Sequence, residues 1–274
     1  MDFEQLDLDP QLINALDELA ITKPTTIQKQ MITVAMEGND VMASAPTGTG
    51  KTLAFLLPAF QHLLDFPRQS PGSCRVLILT PTRELAEQVS GQAQLLAKHT
   101  MLASELITGG INYGTHYDFL EQNLDVLVAT PGRLLQYIDD EIFDCRDVEI
   151  LILDEADRML DMGFIEAMER ISAESRWRKQ TFLLSATLEG RGLKRFADSV
   201  LNDPQQVHAQ PPKKETGKIH QWIHLADSYD HKFKLLCHYL QDEAVESAVV
   251  FVKTRERLDT LVGQLRNADI QSCW

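Results

Sequence analysis

Short runs that are apolar almost throughout recur along the chain, at residues 41–45, 75–80, 125–130, 149–154, 181–185 and 206–209. Each closes on a polar or glycine-containing segment. A strand with one face in water alternates apolar and polar residues. Runs without that alternation predict strands covered on both faces, as in a parallel sheet between helices. The intervening segments carry helical spacing instead. In 83–98, for example, Leu85, Ala86, Val89, Ala93, Leu96 and Ala97 fall on one side of a helix. The alternation predicts an α/β fold, a doubly wound parallel sheet flanked by helices over residues 25–208, behind a helical segment at 1–24.

The pattern breaks at 209–218. Two prolines, a glycine and four charges there read as a linker. A second α/β unit then begins, with a strand at 219–225, a helix at 231–240, a buried strand at 248–252 and a helix at 255–266. Residues 219–274 are close to the size at which a domain struggles to bury enough surface. A parallel sheet of that length would leave strand edges unpaired.

Composition narrows the function. No apolar run approaches the roughly 20 residues of a membrane span, and the acidic, polar N-terminus shows no secretory signal. Four cysteines, Cys74, Cys145, Cys237 and Cys273, lack paired spacing, which predicts reduced thiols, a cytoplasmic location and no cysteine zinc site. The eight histidines form no ligand spacing, and Trp177 and Trp222 read as packing anchors. The formal net charge is −14; residues 1–208 carry 17 basic and 31 acidic side chains, and 209–274 carry nine of each. Any nucleic-acid surface must therefore be local, or rely on backbone N–H groups and hydroxyls.

Two segments carry chemistry. "APTGTGKT" at 45–52 follows a strand and precedes an apolar helix, the setting of a phosphate-binding loop. Its N–H groups and the helix N-terminus would face an oligophosphate, Lys51 would reach the β/γ-phosphates and Thr52 would ligate Mg²⁺. Alone, the motif also fits a structural glycine turn. The second segment, "ILILDEAD" at 150–157, sets three acids at the end of a four-residue aliphatic strand. Asp154 would hold the metal shell and Glu155 would orient or deprotonate the attacking water. Pairing with Arg158 would account for any one acid, but not for three together. The two segments point to nucleotide hydrolysis.

These residues resemble the DEAD-box ATP-dependent RNA helicases, whose phosphate loop opens on alanine as Ala45 does here. The similarity continues in order through "PTRELA" at 81–86, "GG" at 109–110, "TPGR" at 130–133, "SAT" at 185–187 and "VVFVKT" at 249–254. "KPTTIQ" at 23–28 is similar to the family's Q motif, with Phe3 at the place of its isolated aromatic; Ala20-Ile21 departs from the usual Gly-Phe. Longer phrases, such as "LDEADRMLDMGF", are similar to a bacterial branch that assists assembly of the large ribosomal subunit.

The resemblance implies a RecA-like fold, with the second RecA-like domain begun at 219, and ATP with Mg²⁺ as ligands. It implies that Phe3, Thr25 and Gln28 serve the adenine and that Ala45, Thr47, Gly48, Thr49, Gly50, Lys51 and Thr52 hold the phosphates. Lys51, Asp154, Glu155, Asp157, Ser185 and Thr187 would carry catalysis, with Ser185 and Thr187 hydrogen-bonded to Asp157. Thr82, Arg83, Gly109, Gly110, Thr130, Gly132 and Arg133 would touch the RNA backbone without reading bases. The implied partner is ribosomal RNA, with ribosomal proteins nearby, for a monomer. Gln28, "PTRELA" and "TPGR" argue against other P-loop ATPases, such as DNA translocases or transport ATPases. The family's Ala-Arg-Gly-x-Asp and His-Arg-x-Gly-Arg-x-x-Arg segments do not occur in the 274 residues. The chain as written thus reads as a C-terminally truncated helicase lacking its arginine finger.

Overall fold

All six apolar runs pair in one parallel sheet in the computed structural model, which describes residues 2–46, 48–109, 120, 123–188, 190–209, 220–242 and 244–273. The strands are β1 (Val41–Ser44), β2 (Val76–Leu79), β4 (Val126–Ala129), β5 (Ile150–Leu153), β6 (Gln180–Ser185) and β7 (Gln205–His208). A seventh, β3 (Ser104–Ile107), was not expected from the pattern. It is an edge strand, half-buried at Glu105 and Leu106, so its sequence carries no continuous apolar run. The sheet order is β3-β4-β2-β5-β6-β1-β7, with every pair parallel.

Successive residues of each strand serve opposite faces. Val76, Ile78, Ile150 and Ile152 point into one core, with α2 (Thr26–Met36), α3 (Lys51–Asp65) and α4 (Arg83–Thr100). Leu77, Leu79, Leu151 and Leu153 point into the other. There they meet α5 (Pro131–Asp139), α6 (Ala156–Asp161), α7 (Ile165–Glu174) and α8 (Arg191–Val200). Both faces are dry because helices cover both, which is why β2, β4 and β5 carry no polar residue.

Local signals place the helices. Thr82 caps α4 by accepting the Leu85 N–H at 3.3 Å, and Thr25 and Gln28 form a reciprocal cap on α2. The N-terminal segment forms a 3₁₀ turn (Phe3–Leu6) and α1 (Pro10–Glu18), which packs Leu12 and Leu16 into the first core. It is tied down at Glu18, which binds Lys98 and His99 of α4, and at Asp9, whose N–H donates to Gln61 of α3 at 2.6 Å.

The chain divides into two compact units, Met1–Glu215 and Thr216–Trp274. Residues 210–218 of the expected linker lie outside the described residues. In the second unit the described residues form α9 (Tyr229–Leu240) and α10 (Arg255–Asn267) and no strand. The expected strands at 219–225 and 248–252 are corrected accordingly: 220–225 and 248–252 form no strand, with Ile223 and Phe251 each 92% exposed. A strand exists only as part of a ladder, and these segments have no neighbour to complete one. The two tryptophans are corrected as well. Trp177, in the turn between α7 and β6, and Trp222 are 67% and 77% exposed.

Candidate nucleotide and RNA site

The sheet order divides the motifs. The phosphate loop follows β1, the three acids follow β5 and "SAT" ends β6; these strands are neighbours in the order β5-β6-β1. The segments at 81–86, 109–110 and 130–133 follow β2, β3 and β4, the other three neighbours. Chain folding alone thus gathers two contiguous groups of loops on the carboxyl edge of one sheet, where open α/β sheets bind ligands.

In the phosphate loop, Ala45 is fully buried and its N–H donates to the Ser185 carbonyl at 3.3 Å. It is absent from the positive-φ residues, so alanine serves there without strain. Gly48 and Gly50 do adopt left-handed backbone, at φ +80° and +87°. At Gly50 a Cβ would stand 2.6 Å from Gln28 Nε2, so glycine is required twice over. Thr49 Oγ1 donates to the Pro46 carbonyl at 2.8 Å and closes the turn. Thr47 and Gly110 lie outside the described residues.

Lys51 opens α3, and its Nζ is buried without a hydrogen-bond acceptor among the described residues. A buried ammonium without an acceptor is costly, and it stands where the first N–H groups of a helix are also unpaired. Both need an anion. Thr52 follows in the first turn of α3, half-buried.

The acids differ in environment. Asp154 is 3% exposed, and burial pushes its carboxyl up to about 6 against the pull of Lys51. Glu155 sits at φ +53° as the N-cap of α6, and Arg158 binds its carboxylate at 3.1 Å. The Arg158 pairing thus occurs, but for Glu155 alone. Asp157 accepts the Arg158 N–H at 3.0 Å and the Ala186 N–H at 3.1 Å. This corrects the expected bonds from Ser185 and Thr187. The Ser185 hydroxyl donates instead to the Thr187 carbonyl at 2.5 Å and accepts the Thr187 N–H at 3.2 Å. That local turn orients the intervening Ala186 N–H toward Asp157. Ala186 is a backbone contact for which side-chain chemistry gives no signal.

Gln28 is 2% exposed. Its Oε1 accepts the Thr25 N–H at 2.8 Å and its Nε2 donates to the Gly50 carbonyl at 3.1 Å. An amide has four hydrogen-bonding sites, so two remain for an adenine edge. Phe3, expected beside the adenine, is placed in the core. At 4% exposure it packs in the first core rather than presenting a ring to a base.

In the other group, Thr82 and Thr130 hold the N-cap positions of α4 and α5, and Gly132 lies in the first turn of α5. Gly109 is exposed beyond β3. Arg83 is half-exposed and pairs with Glu87 at 2.7 Å, while Arg133 donates to Gln136 at 3.0 Å and lies over the Tyr137 ring. Two helix N-termini and two guanidiniums thus share one edge.

The fold and the loop define a P-loop, RecA-like domain. The profile of the DEAD/DEAH box helicase family matches residues 25–196, and the chain belongs to that family. It is 56% identical over 272 residues to the ATP-dependent RNA helicase SrmB of Haemophilus influenzae and 55% identical to that of Escherichia coli. These alignments cover 99% of this chain and 62% and 61% of those proteins, so the chain spans about three fifths of their length. Among solved structures, a DEAD box protein from Methanococcus jannaschii is 30% identical with a TM-score of 0.70, over 98% of this chain and 70% of that one. A hypothetical ATP-dependent RNA helicase from Sulfolobus tokodaii is 28% identical with a TM-score of 0.67, over 94% and 72%.

Proposed function

We propose that this chain is the ATP-binding portion, with part of the RNA-binding surface, of an ATP-dependent RNA helicase. The separation of nucleotide loops and RNA loops onto adjacent halves of one sheet edge is the observation that carries this reading. A change at one half can then reach the other through shared strands. Thr216–Trp274 is the start of a second RecA-like domain in the same reading. The similarity to SrmB favours ribosomal RNA of the large subunit as the substrate and the cytoplasm as the location, with ribosomal proteins nearby. Among the described residues no helix is long and apolar enough to cross a membrane.

Lys51 and the N–H groups of the loop bind the phosphates, and Gln28 favours adenine. The buried Asp154 and Thr52 fit Mg²⁺, which would neutralise phosphate charge. Glu155 orients water toward the γ-phosphorus and takes its proton, so that ATP and water yield ADP and phosphate. Asp157 reports on this site through Ala186, which belongs to the segment after β6. Thr82, Thr130, Arg83 and Arg133 hold the RNA backbone.

For the 274 residues alone, a second reading follows from the missing arginine segments: an ATP- and RNA-binding fragment without turnover. An arginine finger contributes roughly 10³–10⁵ in rate, and losing 10³ is about 4 kcal/mol of transition-state stabilisation. Steady-state ATP hydrolysis with and without RNA separates the readings. We expect ADP binding and negligible turnover from this chain. In a chain extended to the relatives' length we expect RNA-stimulated turnover, abolished by Glu155→Gln with ATP binding kept. Equal ADP and GDP affinity by calorimetry would remove the adenine assignment, and full turnover by Glu155→Gln would move the catalytic role elsewhere.

A further inference from the structure

The opposite edge of the sheet, at the amino ends of the strands, is also shaped. Three cavities of about 430, 420 and 280 Å³ adjoin there, and Lys179, just before β6, lines all three. Among the described residues of the first unit six large apolar side chains are exposed, and Met36, Phe66 and Trp177 of these six line or border this rim. Each exposed ring carries a cation: Arg176 stands 5.5 Å from the Trp177 ring and Lys179 5.5 Å from the Phe66 ring. Apolar anchors beside arginines are the composition of protein-binding hot spots.

Charge decides between partners. Six cations and six carboxylates line the three cavities, so the rim is neutral within a strongly acidic chain. A nucleic acid would meet as many carboxylates as cations here, and little counterion release would favour it. The carboxylates, however, are mostly occupied from within. Glu149 is bound by His62, Arg75 and Lys179. Asp40 accepts the N–H groups of Thr181 and Asn202, both at 2.7 Å. The spare capacity is in donors. Arg68 pairs with Asp125 at 3.6 Å and Arg75 with Glu149 at 2.5 Å, so the open cation is Arg176, which meets only the Trp177 indole among the described residues.

We propose that this rim docks a segment of another protein that lays an aromatic or aliphatic side chain on Phe66 and Trp177. One of its carboxylates would face Arg176. The surface lies at the strand ends remote from the nucleotide and RNA loops, so a partner held there leaves both accessible. The inference stands on the rim itself and does not depend on the helicase reading.

The test is selection of a random peptide library, displayed on phage, against the 274-residue chain. Enriched peptides should share Asp or Glu flanking an apolar anchor. A synthetic copy should bind at least tenfold more weakly to Trp177→Ala and to Arg176→Glu, and equally well to Lys51→Ala. Both rim side chains are exposed, so the variants should unfold at the wild-type midpoint, and Phe66→Ala supplies a third substitution should either misfold. A twelve-residue oligoadenylate serves as the competing probe, and its affinity should be the same in Trp177→Ala as in wild type. Selection that yields no rim-dependent peptide, or a basic consensus, overturns the proposal. So does oligoadenylate binding that is lost in Trp177→Ala.

Discussion

Ile150–Leu153 and residues 248–252 are equally apolar, yet they end in opposite states. The first is a fully buried strand between β2 and β6. The second is unpaired, with Val249 and Phe251 at 81% and 92% exposure. Helices differ in the same way. In the first unit α3 buries eleven of its residues, whereas α9 of the second unit buries none and α10 buries only Leu261, Val262 and Leu265. Local sequence proposes a strand or an amphipathic helix; a neighbour to pair with or pack against is what makes it one. The same side chain should therefore have very different energetic weight in the two units.

Matched truncations would test this most severely. Phe182 is fully buried in β6, so Phe182→Ala should lower the stability of the first unit by about 3–5 kcal/mol. Phe251→Ala should change stability by less than about 0.5 kcal/mol. Denaturant titration followed by hydrogen exchange would assign each change to its unit. A cost at Phe251 comparable to that at Phe182 would mean that residues 248–252 are paired in solution.

How far the molecule was legible follows the same division. Residues 41–43 and 150–153 announce buried strands because helices cover both faces and no polar residue interrupts the apolar run there. Edge strand β3 escapes notice, since Ser104 and Glu105 break its apolar run. At the site, Lys51, Gly50 and Asp154 are legible because phosphate and metal chemistry restricts the residue type. Ala186 is not, because its contribution is an N–H that any residue except proline carries. Phe3 is buried and Trp177 is open. An aromatic residue signals area to be covered but not what covers it, which depends on elements distant in sequence.

Ligand binding sharpens the comparison from the other direction. ADP should stabilise the first unit by about 2.7 kcal/mol at one hundred times its dissociation constant, leaving the hydrogen exchange of α9 and α10 unchanged. The motive is that the buried Lys51 ammonium lacks an acceptor until phosphate arrives. Lys51→Ala should abolish the ADP effect while tolerating the empty state at least as well as wild type. Protection of both units to the same extent by ADP would show them to be one cooperative body.

A smaller effect, with a definite pH signature, belongs to Asp154. Its carboxyl in the folded chain is pushed up to about 6, chiefly by burial, whereas an unfolded aspartate titrates near about 3.9. The folded state therefore holds this proton more tightly. Its contribution is favourable at low pH, declines as pH rises from about 4 to about 6, and is constant above that. Glu149 has the opposite sign. Burial alone would raise it, but hydrogen bonds from His62, Arg75 and Lys179 hold it far below the ordinary range. Its contribution is complete above about 4.3 and is lost only as pH falls from there, outside the Asp154 window. Asp154→Asn removes the first effect and leaves the second. It should stabilise the first unit at pH 7 by on the order of 1–3 kcal/mol, with little change at pH 4, and should flatten the decline between. The same substitution should weaken any extra stabilisation that Mg²⁺ adds to ADP, since the ionised carboxylate that burial disfavours is the group the cation requires. Unfolding curves at pH 4, 5, 6 and 7 measure both consequences. A destabilised Asp154→Asn at pH 7 would show that the carboxylate is well solvated there, and that the metal site is not held at the expense of stability.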